Sequence, residues 1–141
     1  MGGDRQLLRS ADTGRTWAVV LAPWVDTQPL LVGVNPSNAD ELVILQEPGI
    51  HHSQTGGRFW RSEYPPATIV AATVDWSTRR IYAVASDGAV WTHPVDATGG
   101  WQSTPATAGF AVAAAHGIVL YAEPAPSFSI PPKRGGLYRS T

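Results

Sequence analysis

The sequence predicts an all-β chain in which one four-stranded unit recurs about three times. Three observations carry this. Short runs rich in Val, Ile and Thr alternate with clusters of Gly, Pro, Asn, Asp and Ser. A Ser…Gly-Arg-x-Trp pattern ending at Trp17 returns 43 residues later at Trp60, and a looser copy ends 41 residues further on at Trp101. No long window places apolar residues at i, i+3 and i+4, and 12 prolines are spread through 141 residues, which excludes helical repeats of this length.

Residues 6–9 and 16–21 read as the last two strands of a first unit. The next unit, 29–63, opens with an apolar run at 29–34, turns at Asn35-Pro36, and continues with a second run at 41–46. The third, 67–103, has runs at 68–74 and 80–85 around a turn at 75–78, and Asp87-Gly88 reads as a type I′ hairpin turn. The last, 108–141, has runs at 109–113 and 118–122 around His116-Gly117, then a Pro-rich insertion at 123–134 expected to be a surface loop, then Leu137-Tyr138-Arg139-Ser140. The expected tally is two, four, four and three strands. A period of about 40–45 residues with four strands per unit is the pattern of a β-propeller blade. The expected fold is therefore an incomplete β-propeller of about three antiparallel four-stranded blades.

Composition narrows the function. With 43% hydrophobic residues the chain has material for a core. A net charge of −1 and only 15% charged residues exclude nucleic acid and anionic membrane surfaces as partners. The absence of cysteine excludes disulfides, thiolate metal sites and a cysteine nucleophile. The apolar stretch 108–122 is interrupted by Gly109, His116 and Gly117 and falls short of the roughly 20 residues a membrane helix needs. Residues 1–6 carry no apolar run, so no signal peptide is expected.

The segment Ser10-x-Asp12-x-Gly14-x-Thr16-Trp17 resembles the Asp-box, or BNR repeat, found in the propellers of sialidases, sortilin-type receptors, xyloglucanase-type glycoside hydrolases and photosystem II assembly factors. Ser53, Gly57 and Trp60 repeat it with Thr55 in place of the aspartate and Phe59 in place of the threonine; Asp96, Gly100 and Trp101 keep it more loosely. The box is expected to be a structural hairpin turn between the outer two strands of a blade. Its Ser and Asp would bond backbone N–H groups, its glycine would supply a positive φ, and its tryptophan would bury a large surface against its own blade.

Catalytic chemistry is harder to find. The resemblance to sialidases would require an arginine triad, but Arg9, Arg15, Arg58 and Arg139 belong to the repeated turns, and Glu63-Tyr64 falls on opposite faces of a strand. A glycosidase needs two carboxylates roughly 5–10 Å apart. Asp26, Asp40, Glu41, Glu47, Asp75, Asp87 and Glu123 are available, but Asp40 and Asp75 are expected in the turns between the first two strands of successive blades, where turn chemistry explains them. His51-His52 and His93 occupy equivalent strands and offer no metal-ligand spacing, so neither metal nor cofactor is expected. Trp24 and Trp76, in loop-like segments, are the candidate contacts for a ligand or partner.

The favoured function is a non-catalytic scaffold or binding module, expected to be a fragment of a larger propeller. The alternative is a fragment of a sialidase- or xyloglucanase-like glycoside hydrolase. The expected partner is a carbohydrate or protein ligand, or a second copy of the chain completing the propeller. The sequence does not specify a compartment; the resemblance alone points outside the cytoplasm.

Overall fold

The computed structural model describes residues 6–20, 29, 31–97, 99–105, 111–122 and 137–140. It is all-β: the described residues form thirteen strands in antiparallel sheets and contain no helix. A two-stranded sheet pairs β1 (Leu7–Arg9) with β2 (Ala18–Val20). Two four-stranded sheets follow. One comprises β3 (Leu31–Asn35), β4 (Asn38–Gln46), β5 (Gly49–Ser53) and β6 (Arg61–Glu63). The other comprises β7 (Ile69–Asp75), β8 (Arg80–Ala85), β9 (Val90–Pro94) and β10 (Gln102–Ser103). The last sheet has three strands, β11 (Ala111–Ala115), β12 (Ile118–Ala122) and β13 (Leu137–Ser140). Each strand lies beside its sequence neighbour, so the sheets are built from hairpins.

The turns follow residue chemistry, with one exchange of type. The β11–β12 turn has two central residues, His116 and Gly117, with φ of 53° and 77°. Positive φ at both positions is the type I′ requirement. At Asp87-Gly88, where that type was expected, only Gly88 has positive φ, at 86°. Gly88 N–H donates to the Ala85 carbonyl and Ala85 N–H to the Ala89 carbonyl, each at 2.9 Å. The result is a three-residue loop: a type I turn followed by a left-handed glycine. Asp87 holds it by accepting from Ala89 N–H at 3.0 Å. Asp40 also departs from expectation. It lies within β4, past the turn, and the counterpart of Asp75 is Asn35: each accepts a bond from the N–H two residues on, Ser37 and Ser77, at 2.9 Å.

The chain divides into two compact units, Met1–Ser62 and Glu63–Thr141. In the first, Glu41–Gln46 and β5 are buried throughout, without alternation. A strand covered on both faces needs a continuous apolar run, which Leu42-Val43-Ile44-Leu45 supplies. Val43, Ile44 and Leu45 are essentially inaccessible, and each contributes about 1.5–3 kcal/mol relative to exposure. The β1–β2 hairpin is pinned to this sheet by Arg9, whose guanidinium lies 3.0 Å from Asp40. It is also pinned by Val20, which fills the space that a Cβ at Gly57 would take.

In the second unit the core is Ile69, Ile81, Ala83, Val84, Val90 and Val95. Strand β11 packs against β7 and β8, so the three-stranded sheet lies on the four-stranded one. Asp75, 2% exposed, ties the two sheets together. One oxygen accepts from Ser77 N–H at 2.9 Å and Ser77 O–H at 2.7 Å; the other accepts from Gly117 N–H at 2.7 Å. Burial pushes this carboxyl up, but the donors around it outweigh that and hold it well below the usual carboxylate range.

Candidate functional site

The recurring turns are the best-defined feature of the chain. In the first, Thr13 and Gly14 have φ of 60° and 90°; in the second, Gly56 and Gly57 have 66° and 89°; in the third, Gly99 and Gly100 have 67° and 89°. The second member of each pair falls at 14, 57 and 100, a constant interval of 43 residues. Two consecutive left-handed residues are costly for side chains with a Cβ, which is why five of these six positions are glycine.

Side chains clip the first turn from within. Ser10 Oγ accepts from Gly14 N–H at 2.7 Å and Asp12 N–H at 3.3 Å. Asp12 accepts from Thr16 N–H at 2.8 Å with one oxygen and from the Thr16 hydroxyl at 2.7 Å with the other. The Thr16 N–H, then the Thr16 and Ser10 hydroxyls, pull the Asp12 carboxyl down to about 2. Thr55 performs the same task in the second turn as a neutral acceptor: its Oγ1 takes Phe59 N–H at 2.9 Å, while Ser53 Oγ takes Gly57 N–H at 2.9 Å.

The tryptophans close two of the turns. Trp17 Nε1–H donates to Gly14 O at 3.1 Å and Trp60 Nε1–H to Gly57 O at 3.0 Å. The expected burial of Trp17 is not found: its ring folds back over Gly14 and remains 61% exposed. Trp60 is half-buried.

The third turn is two residues shorter between its glycine pair and its tryptophan, which accounts for the 41-residue interval. Counted back from Gly100, Asp96 is the counterpart of Ser10 and Ser53, not of Asp12 as the sequence suggested. Its carboxylate grips Arg79 through Nε at 2.6 Å and Nη2 at 2.5 Å. Trp101 directly follows the glycines, too close to reach back to their carbonyls, and its Nε1 is buried without an acceptor. It packs on His93 instead, with ring centroids 4.9 Å apart. His93 Nε2 lies 3.1 Å from Gly99 O and 2.9 Å from Glu63, which also accepts from Gly99 N–H at 2.8 Å. Sequence reasoning missed this His93–Glu63 clip, because its members lie 30 residues apart and no local pattern links them.

A second buried polar set lies in the first unit. Glu41, 3% exposed, takes Asn35 Nδ2–H at 2.5 Å and faces His52 Nε2 at 3.0 Å. His51 points to the other face, 2.8 Å from Ser62 Oγ, and burial lowers its tendency to protonate. Beside the hairpin a groove of about 240 Å³ is lined by Leu7, Leu8, Val20, Val34, Leu42 and Ile44. Of the two candidate contact tryptophans, Trp76 is half-buried in the β7–β8 turn, and Trp24 lies outside the described residues, as do Asp26, Glu123 and the 123–134 insertion.

No protein-family model and no curated protein matches this sequence. No helix among the described residues is long and apolar enough to cross a membrane. The chemistry of the chain must therefore be inferred from its own groups. Asp12, Asp40, Glu41, Glu63, Asp75, Asp87 and Asp96 each receive a hydrogen bond or ion pair that holds a turn or a strand.

Proposed function

We propose that the chain forms blades of an Asp-box β-propeller and serves as a non-catalytic scaffold that presents a binding surface. The observation that carries this is the same pair of left-handed residues at 43-residue intervals, each time leading into the outermost strand of an antiparallel sheet. The Ser–Asp–Thr–Trp bonding at residues 10–17 supports the Asp-box assignment, since those four residues hold the turn together. The structural use of seven of the eight described carboxylates, all but Glu47, supports the non-catalytic part. A glycosidase would need two carboxylates available to substrate and water, and Asp12 and Asp75 are spent on backbone N–H groups.

Assay of the chain against fluorogenic sialosides and soluble β-glucans tests this, with no turnover expected. Hydrolysis that disappears on replacing a single Asp or Glu would overturn it in favour of a glycoside hydrolase. A screen of immobilised glycans and proteins, repeated with Trp76→Ala, then tests whether the β7–β8 turn contributes to the binding surface.

A further inference from the structure

We propose that the open edge of β1 is a docking edge for a second copy of this chain: β1 takes the place of β13 beside the partner's β12. This rests on the blade reading and names the partner it implies.

Two independent observations lead there. The first is a duplicated strand. Leu7-Leu8-Arg9-Ser10 and Leu137-Tyr138-Arg139-Ser140 differ at a single position. The latter pairs with β12 in the register Tyr121↔Tyr138 and Leu120↔Arg139. The former pairs with β2 and, among the described residues, with nothing on its other edge. Transferring the register places Leu8 opposite Tyr121 and Arg9 opposite Leu120. The exchange trades one antiparallel ladder for an equivalent one, so its cost is low, and β2 arrives with β1 as a fourth strand. The product, β11–β12–β1–β2, has the strand count of the two complete sheets.

The second observation is the uncovered groove. In the second unit, β11, the first strand of its sheet, packs on β7 and β8, the first two strands of the preceding sheet. The incoming β11 and β12 would be the first two strands of the sheet preceding β3. Val34 on β3 is 50% exposed and Leu8 is 48% exposed, and both line the apolar groove beside β1. Side chains left open in this way are covered by the strands that the duplicated register brings in.

The two copies meet through different surfaces, so the association is head-to-tail and either closes into a ring or extends. The chain has no cysteine, which makes engineered thiols clean reporters. The 141-residue chain carrying Leu8→Cys and the same chain carrying Tyr121→Cys are prepared separately, one with a tag, then mixed and oxidised. A mixed disulfide dimer is expected, in severalfold higher yield than with Tyr82→Cys, whose strand β8 has both edges occupied by β7 and β9. Light scattering of the unmodified chain should show mass rising with concentration. Equal yields from the two partners, or a monomer throughout the micromolar range, overturns the proposal. Tyr121→Cys/Tyr138→Cys is the separate check on the blade itself. An intramolecular disulfide there with no mixed dimer defeats strand exchange alone. Failure of the intramolecular disulfide in a chain that also gives no mixed dimer defeats the blade pairing as well.

Discussion

Replacing Asp75 with alanine should destabilise the second unit more than any other single turn substitution in it. The side chain is 2% exposed and joins the β7–β8 turn to the β11–β12 turn. Its removal leaves the N–H groups of Ser77 and Gly117 without their charged acceptor. A hydrogen bond to an ionised group contributes about 1.5–3 kcal/mol, and the two ends are not additive, so a loss of about 3–4 kcal/mol is expected. For a domain of this size that lowers Tm by about 8–12 °C. Asp75→Asn keeps an acceptor for one turn but turns an NH2 toward the other donor, and should lose about 1–2 kcal/mol. Urea unfolding followed by tryptophan fluorescence reads this directly, since Trp76 is the next residue. The folded-state carboxyl is depressed, so its stabilisation is complete above the unfolded value of 3.8 and fades as pH falls through the lower folded value. The gap between wild type and Asp75→Ala should therefore narrow below about pH 4. A variant within about 0.5 kcal/mol of wild type at pH 7, or a gap that is constant through the acid range, would refute the argument.

Other substitutions test the repeated turns. Gly57→Ala combines a φ of +89° with a Cβ driven into Val20 and should cost about 2–4 kcal/mol, whereas Gly100→Ala, with the same φ and open space around it, should cost about 1–2 kcal/mol; both are read by thermal unfolding. Asp12 should protonate near 2, so the Thr16 amide resonance should be unchanged at pH 4 and move only on further acidification; in Asp12→Asn that transition should vanish. Trp17→Ala should cost less than about 1 kcal/mol, because the ring is mostly exposed, while Trp60→Ala should cost about 2–3 kcal/mol.

The strands were legible because they announce themselves locally. β8 and β12 begin and end where their turn residues place them, at Arg80–Ala85 and Ile118–Ala122. In the two four-stranded sheets the connections, at most seven residues long, are too short for crossovers, which leaves antiparallel hairpins. What failed depended on backbone detail or on distant partners. The sequence shows Asp87-Gly88 as a dipeptide but not that Ser86 joins it to make a three-residue loop. It marks Trp17 as a large apolar side chain but not that its indole N–H turns back to the Gly14 carbonyl. Asp40 reads as a turn residue until the hairpin brings Arg9 to it from 31 positions away.

The three turns separate what the repeat preserves from what it replaces. The backbone holds a 43-residue interval through all three copies, whereas the clip changes from a carboxylate in Asp12, to a hydroxyl in Thr55, to the distant pair Glu63 and His93. The tryptophan bond persists while two residues separate it from the left-handed pair and disappears when they are absent. Asp12 and Thr55 meet the same need, an acceptor for the N–H two residues after the left-handed pair, on Thr16 and Phe59; where those two residues are missing, Glu63 instead takes the N–H of the pair's first member, Gly99, whose counterpart Gly56 donates to the Asp40 carbonyl. In the first copy the carboxylate clip is exposed, and Asp12 is held in its charged form by water and three local donors. In the third copy the Gly99 N–H and carbonyl are met from other strands, by the Glu63 carboxylate and by His93 Nε2, both largely buried. A search for such repeats in related chains should therefore follow the glycine that ends each left-handed pair, at constant interval, with the aspartate and tryptophan as secondary marks.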